Sequence, residues 1–266
     1  MHNMPDDSSA SQNKKYRVPA LDKAHRIIHL ISQEPHTYTL SDLAKKLAIS
    51  KSSMFSLLHT MEDLGWLAKD EKDTYSLGLH FGLLGNAFFA RYDIVDLFHQ
   101  EAAKTRAQLD ESIHLARLIG TEVLHLAKET SSSVVQMVSG PGATFAAHAT
   151  GLGKILLAAL SNSEVEALYP QESLPALTPN TISSREALLR ELEEIRTRGY
   201  SEDLEEGLMG FNCVAALLVM KDGTHAAVSM SIPVHKWEDK KSLAREAITR
   251  LAGQLTLDPE NHALVN

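Results

Sequence analysis

Residues Thr39 to Leu64 read TLSDLAKKLAISKSSMFSLLHTMEDL, two short helical periods joined by a tight turn. In the first period Leu40, Leu43, Ala44 and Leu47 recur at the spacing that stacks side chains on one helix face. Thr39 is a suitable N-cap, with Asp42 three residues on as its capping-box partner. Ala48, Ile49 and Ser50 make the turn, with Ile49 placed to plug between the helices and Ser50 to cap the second one. From Lys51 the buried stripe is expected to be Met54, Leu57, Leu58, Met61 and Leu64, leaving Ser52, Ser53, Ser56, His59 and Thr60 outside. That outer face is short, polar and nearly free of carboxylates, which lets a helix approach base edges in a major groove without repelling phosphates. A solvated helical hairpin fits the two-helix pattern equally well, so the flanks decide.

After Gly65 the chain continues WLAKDEKDTYSLGL. Trp66 to Lys69 and Thr74 to Leu77 read as two strands around a turn at Asp70 to Asp73. Upstream, Leu21, Ala24, Ile27, Ile28 and Ile31 give a third helix from Ala20 to Ile31, with Pro19 in its first turn. Three helices and a hairpin make a winged helix-turn-helix.

The whole chain has 266 residues, long for one core and comfortable for two. Its 44% hydrophobic and 23% charged residues are ordinary for a soluble protein, and no apolar run approaches the roughly 20 residues of a membrane span. The polar first 15 residues lack the apolar core of a secretion signal and read as a disordered tail. One cysteine, Cys213, excludes an intramolecular disulfide framework and points to a reducing cytoplasm. The net charge of -8 is unevenly spread: Lys14 to Tyr75 hold ten Lys or Arg against eight Asp or Glu. A head so close to neutral makes few phosphate contacts, so tight DNA binding needs two or more heads, hence an oligomer.

Leu79 to Arg91, LHFGLLGNAFFAR, is apolar, and its Gly82 and Gly85 suggest close packing against another helix; it reads as a linker and dimer contact or, equally well, as a helix lying on its own domain. Ile94 to Leu109 is a further amphipathic helix. Short strand-like runs follow at Ser112 to Ile119, Glu122 to Lys128 and Ser133 to Ser139, as in an antiparallel meander. Helices are expected at Ala149 to Leu160, Ser163 to Tyr169 and Arg185 to Arg198, the last carrying charge pairs around Glu191, Glu194 and Arg198. Val214 to Met220 and His225 to Ile232 read as a hairpin, and Glu238 to Leu255 as the last helix. The second half is thus α+β with one mostly antiparallel sheet.

Two stretches could carry chemistry. HATGLGK, from His148 to Lys154, fails as a phosphate loop because Ile155 stands where a magnesium-binding Ser or Thr is needed. Its glycines still leave backbone N–H groups at a helix start open to a small anion, or serve only close helix packing. Ser229 and Ser231, two apart in a strand, share a face with Ala227, as the wall of a pocket or as a solvated face. Asp203 and Cys213 complete that polar cluster. A catalytic Cys213 with a histidine, or a metal held by Cys213, His148 and Asp203, lacks the paired spacing such sites use.

In order and spacing, YRVPALDKA, LAKKLAISKSSMFSLLHTMEDLGWL, YSLGLHFGLLG, HATGLGKILLA, RGYSEDLEEGLMGFNCVAA and AAVSMSIP resemble the IclR family of bacterial transcriptional regulators, over nearly the whole chain from Tyr16 to Leu255. The resemblance implies a winged helix-turn-helix at 16–78, a linker helix at 79–92 and a GAF-like effector-binding domain at 93–258. It further implies a homodimer or dimer of dimers on a pseudo-palindromic double-stranded DNA operator near catabolic genes, as repressor or activator, released or recruited by a small organic acid. Carried over by motif, the DNA-contacting set is Thr39, Lys51, Ser52, Ser53, Ser56 and His59. The effector would meet Gly151, Leu152, Asp203, Cys213, Ser229 and Ser231, with Phe145 and Val134 as apolar walls. In that picture a carboxylate meets backbone N–H groups and serine hydroxyls, and Asp203 accepts from an effector hydroxyl. The family commonly has an arginine where this chain has Ser56, which shifts the burden of half-site reading onto Lys51, Ser52, Ser53 and His59. No cofactor, metal or membrane is expected. The competing reading is a cytoplasmic enzyme using Cys213, with the winged helix as an accessory interaction domain.

Overall fold

The computed structural model describes residues 18–89, 94–133, 139–220 and 222–256, and the chain divides into two compact units, Met1–Arg91 and Tyr92–Asn266. The expected tail at 1–15 and most of the strand expected at Ser133 to Ser139 lie outside the described residues. No helix among the described residues is long and apolar enough to cross a membrane.

In the first unit, α1 (Pro19–Gln33), α2 (Leu40–Lys46) and α3 (Lys51–Asp63) enclose a core of Ile27, Ile31, Leu43, Ile49, Met54, Leu58 and Met61. Both caps form as their side chains allow. Thr39 Oγ1 accepts from Asp42 N while the Asp42 carboxylate takes the Thr39 N–H and hydroxyl, and Ser50 Oγ accepts from Ser53 N. The turn between α2 and α3 places Ala48 at φ 53, left-handed backbone that a Cβ tolerates poorly. Two expected core residues lie outside it. Leu21 is exposed in the first turn of α1, one turn ahead of the first buried side chain, Ala24. Leu64 is exposed because α3 ends at Asp63 and Gly65 turns the chain at φ 68, which breaks the 3.6-residue period.

The wing is β1 (Leu67–Lys69) paired antiparallel with β2 (Tyr75–Leu77), one residue shorter at each start than expected. Its turn is tied by Asp70, whose carboxylate accepts from Lys72 N, Thr74 N and the Thr74 hydroxyl; these bonds hold its pKa well below the usual carboxylate range. Gly78 lies where an added Cβ would be 2.1 Å from the Gly65 carbonyl oxygen. Helix α4 (Leu79–Phe89) follows. The expectation of close packing at Gly82 and Gly85 is not met within this chain: among the described residues nothing lies within 4 Å of a Cβ built at either.

In the second unit, α5 (Ile94–Leu109) leads into β3 (Ser112–Ile119), β4 (Glu122–Glu129) and β5 (Thr144–Ala146). A 3-10 turn, Ala147–Ala149, then introduces α6 (Gly151–Ala158), α7 (Asn162–Leu168) and α8 (Arg185–Arg198). After these come β6 (Ser201–Leu204), β7 (Phe211–Val219), β8 (His225–Pro233) and α9 (Val234–Leu255). All six strands form one antiparallel sheet in the order β5-β4-β3-β8-β7-β6. Helices α5 and α9 cover one face and α6, backed by α8, covers part of the other, so β8 is buried on both sides. The helix expected from Ala149 starts later, at Gly151, because Thr150 is its cap and accepts from Gly153 N. Strands β5 and β6 were not foreseen. At three and four residues they are too short for a period of two to register.

Candidate functional site

Antiparallel pairing brings one polar row onto the sheet face under α6. Register pairs Asp203 with Cys213, Cys213 with Ser231, and Ser229 with His114. Along the sheet the row therefore runs Asp203 on β6, Cys213 on β7, Ser231 and Ser229 on β8, His114 on β3 and His125 on β4. These side chains line a cavity of about 400 Å³. Phe145 closes it at the β5 edge, Gly151 and Leu152 at the start of α6, Gly207 and Leu208 from the loop before β7, and Phe211 at the start of β7. Seven of the eight residues expected at an effector site thus share one cavity; Val134 lies outside the described residues. The two serines are buried, which removes the solvated-face reading.

The two glycines of GLG have different tasks. A Cβ at Gly153 would be 2.0 Å from the Ala147 carbonyl oxygen, so this residue serves close packing of α6 on the preceding turn. At Gly151 a Cβ would meet Ala215, Cys213 and Ser201 at ordinary contact distances, so its smallness opens the cavity rather than the fold. Of the first backbone N–H groups of α6, that of Gly153 is taken by Thr150 Oγ1, while Gly151 and Leu152 at the helix start line the cavity with Cys213. Lys154 points elsewhere. It is almost fully buried, with Nζ 2.5 Å from Glu206 Oε1 and 3.7 Å from Glu191, which Arg198 also reaches at 2.7 Å.

Asp203 Oδ1 accepts from the N–H groups of Glu206 and Gly207. Burial nonetheless pushes its carboxyl up to about 7, so near neutral pH it is partly protonated. The Cys213 thiol is pushed far up by burial and by the Asp203 charge, and lies 3.3 Å from Ser231 Oγ. A thiol held protonated is a poor nucleophile. His148 is directed away, donating from Nε2 to the Pro175 carbonyl, and does not join Cys213 and Asp203. Its partner there is an acceptor, so Nε2 carries the proton. Among the described residues no three His, Cys, Asp or Glu side chains converge as a metal site.

His114 and His125 were not singled out from the sequence. Both are buried, their ring centroids lie 5.0 Å apart, and Phe145 lies 4.9 Å from His125. The only signal was their parity, since each occupies the strand face that turns out to be the inner one.

On the first unit, Lys51, Ser52, Ser56 and His59 are exposed along α3 and Ser53 is half-buried. Ser56 Oγ donates to the Ser52 carbonyl and His59 Nδ1 lies 3.4 Å from Asp63. Thr39 spends its hydroxyl on the α2 cap. Phe55, unmarked in the sequence reading, is 59% exposed and shares the face of Ser52, Ser56 and His59, its ring edge-on to His59.

Comparison with known proteins agrees with this geometry. Residues 20–71 match the family model described as the IclR helix-turn-helix domain, and residues 87–256 that of the bacterial transcriptional regulator IclR C-terminal domain. The chain is 30% identical over 227 residues to the HTH-type transcriptional regulator KdgR of Dickeya chrysanthemi, covering 84% of this chain and 74% of that one. It is 29% identical to the regulator XynR of Escherichia coli, over 74% of this chain and 79% of that one. The crystal structure of the Thermotoga maritima IclR superposes with a TM-score of 0.72 at 28% identity, covering 90% of this chain and 98% of that one.

Proposed function

Since the chain belongs to the IclR family of DNA-binding bacterial transcriptional regulators, we propose that it controls a catabolic operon in the cytoplasm in response to a small organic acid held in the second unit. The observation that carries this reading is the cavity under α6, where the helix start at Gly151 and Leu152, Ser229, Ser231, Cys213 and Asp203 surround one volume. Its floor is polar but carries little fixed charge, and the helix start supplies the positive end of a dipole. A carboxylate placed there meets N–H and O–H donors. Asp203 tolerates that anion because burial lets it keep its proton and donate.

On DNA, α3 would present Lys51 to phosphate and Ser52, Ser53, Ser56 and His59 to base edges. The exposed Phe55 ring suits a thymine methyl group. Helix α4, with Leu79 91% and Leu83 68% exposed, supports association of two or four chains so that two heads share one pseudo-palindrome. The boundaries adopted for these roles are 16–78, 79–92 and 93–258. The enzyme reading is disfavoured by the protonated Cys213 thiol.

The test begins with genomic fragments selected on the purified protein at moderate salt, followed by release of the enriched operator by organic acids. The expected result is one palindromic site beside a catabolic operon, released by an acid that operon consumes. Ser229→Ala with Ser231→Ala should then keep operator binding and lose the release; a double variant that responds as the parent does would reject the cavity as the effector site.

A further inference from the structure

The polar row under α6 has a second end that the carboxylate reading does not use. His114 Nδ1, His114 Nε2 and His125 Nδ1 are buried without a protein hydrogen-bond partner, and both rings line the cavity. Buried polar atoms are nearly always paired, because leaving them unpaired costs the folded chain stability. Three such atoms on two rings that line one cavity point to a group supplied from outside the chain. Two strand spacings, about 10 Å between backbones, separate β7, beneath the start of α6, from β3, which carries His114. Phe145, Leu152 and Phe211 offer apolar surface along that cavity.

Resting on the effector reading above, we propose that His114 and His125 form a second recognition point built for a hydroxyl, so that the ligand is a hydroxy acid with its carboxylate and hydroxyl at opposite ends. Burial and Lys128 keep both rings uncharged, and His125 adds to this at His114: His125 falls to about 4 and His114 well below its usual range. A neutral imidazole has one N–H and one lone pair. A hydroxyl both donates and accepts, so it satisfies one of each across the pair. A second carboxylate only accepts, and would leave its charge against ring lone pairs; an ammonium only donates.

Two matched sets of probes test this on the full chain by titration calorimetry. One set is hexanoate, ω-hydroxyhexanoate and adipate; the other is phenylpropanoate with its para-hydroxy and para-carboxy forms. The expected result is that in at least one set the hydroxy acid binds at least about tenfold more tightly than both companions, since a site made for a hydroxyl rejects analogues lacking it. In His114→Phe and His125→Phe the hydroxy acid should lose its advantage over the parent acid. Acids that bind without hydroxyl preference, or a preference that survives both variants, overturn the histidine assignment alone. If no probe of either set binds, the acid-effector reading fails and this inference with it.

Should a variant not fold, NMR of the ring nitrogens in the unaltered protein decides. The two rings that stay neutral down to about pH 5 identify themselves among ordinary histidines. They should shift with the tighter-binding hydroxy acid and not with its parent. Equal shifts, or none, overturn the proposal.

Discussion

Asp203 shows how much one side chain can reveal when its environment opposes its charge. Its carboxyl rises from an ordinary 3.8 to about 7 chiefly because it is buried. Below about pH 4 both folded and unfolded chains hold this proton, and the burial penalty is absent. Between about 4 and 7 the unfolded chain releases the proton while the folded one keeps it, so stability falls as pH rises; above 7 the whole penalty is felt. Asp203→Asn keeps an oxygen for the Glu206 and Gly207 N–H groups and removes the ionisation. The variant should gain on the parent through this window, reaching roughly 2–4 kcal/mol above pH 7. Denaturant unfolding at several pH values measures it, and a gap that does not change with pH would refute the buried-carboxyl account. His125 runs the other way, losing stability as pH falls from about 6.5 to 4, but it does so equally in both proteins and cancels in the comparison. Asp203, Cys213, Ser229 and Ser231 were legible in the sequence because they sit in recognisable motifs. The histidine pair was not, since a histidine in an apolar strand reads equally well as a packed, satisfied ring; only the register of β3 on β4 and β8 brings the two together and leaves three of their nitrogens bare.

Among the elements, α6 separates two uses of glycine that its sequence, GLGK, does not distinguish. An added Cβ at Gly153 would meet three backbone atoms of Ala147 at 2.0–2.4 Å, and backbone there cannot yield without moving the turn that caps the helix. At Gly151 the nearest atoms are side-chain atoms at 3.6–3.7 Å. Gly153→Ala should therefore cost several kcal/mol, on the scale of severe overpacking. Gly151→Ala should fold with a melting temperature close to the parent's and lose ligand affinity, because the new methyl group sits against Cys213 at the cavity wall. Thermal unfolding of the two variants, with acid titration of the second, checks the distinction; equal melting temperatures would dissolve it. Long periodic elements such as α5 and β3 were readable to the residue, and α9 to its end, though it starts four residues before the expected Glu238. The edge strands β5 and β6 were not, and neither was the pairing of β3 with β8, whose paired residues are more than a hundred positions apart. Such a pairing is set by which faces two helices can cover together, a property of the folded layers and not of any window of sequence.

For the whole molecule the decisive quantity is how charge and apolar surface are divided. The chain carries a net charge of -8, yet the stretch that reads DNA holds a slight excess of basic residues, so repulsion from the rest of the protein offsets what one head gains on phosphate. Each phosphate contact contributes about 0.9 to the slope of log affinity against log salt, and the short outer face of α3 offers few such contacts. One head on a half-site should therefore bind weakly. Joining two heads makes the second binding event intramolecular, which raises affinity by about 10² to 10⁴ without any new contact. The exposed leucines of α4 offer apolar surface for that joining. Accordingly, a duplex bearing the full pseudo-palindrome should bind at least about a hundredfold more tightly than one bearing a single half, and with a salt slope near twice as steep. Leu79→Asp with Leu83→Asp should leave each unit folded, lower the oligomeric state measured by sedimentation, and bring the full site down to the affinity of the half. If the charged variant stays oligomeric and keeps the full-site advantage, the heads are joined through some other surface and α4 is only a spacer; if the parent itself binds half and full sites alike, one head suffices and the near-neutral surface of α3 must be making far better base contacts than its serines suggest.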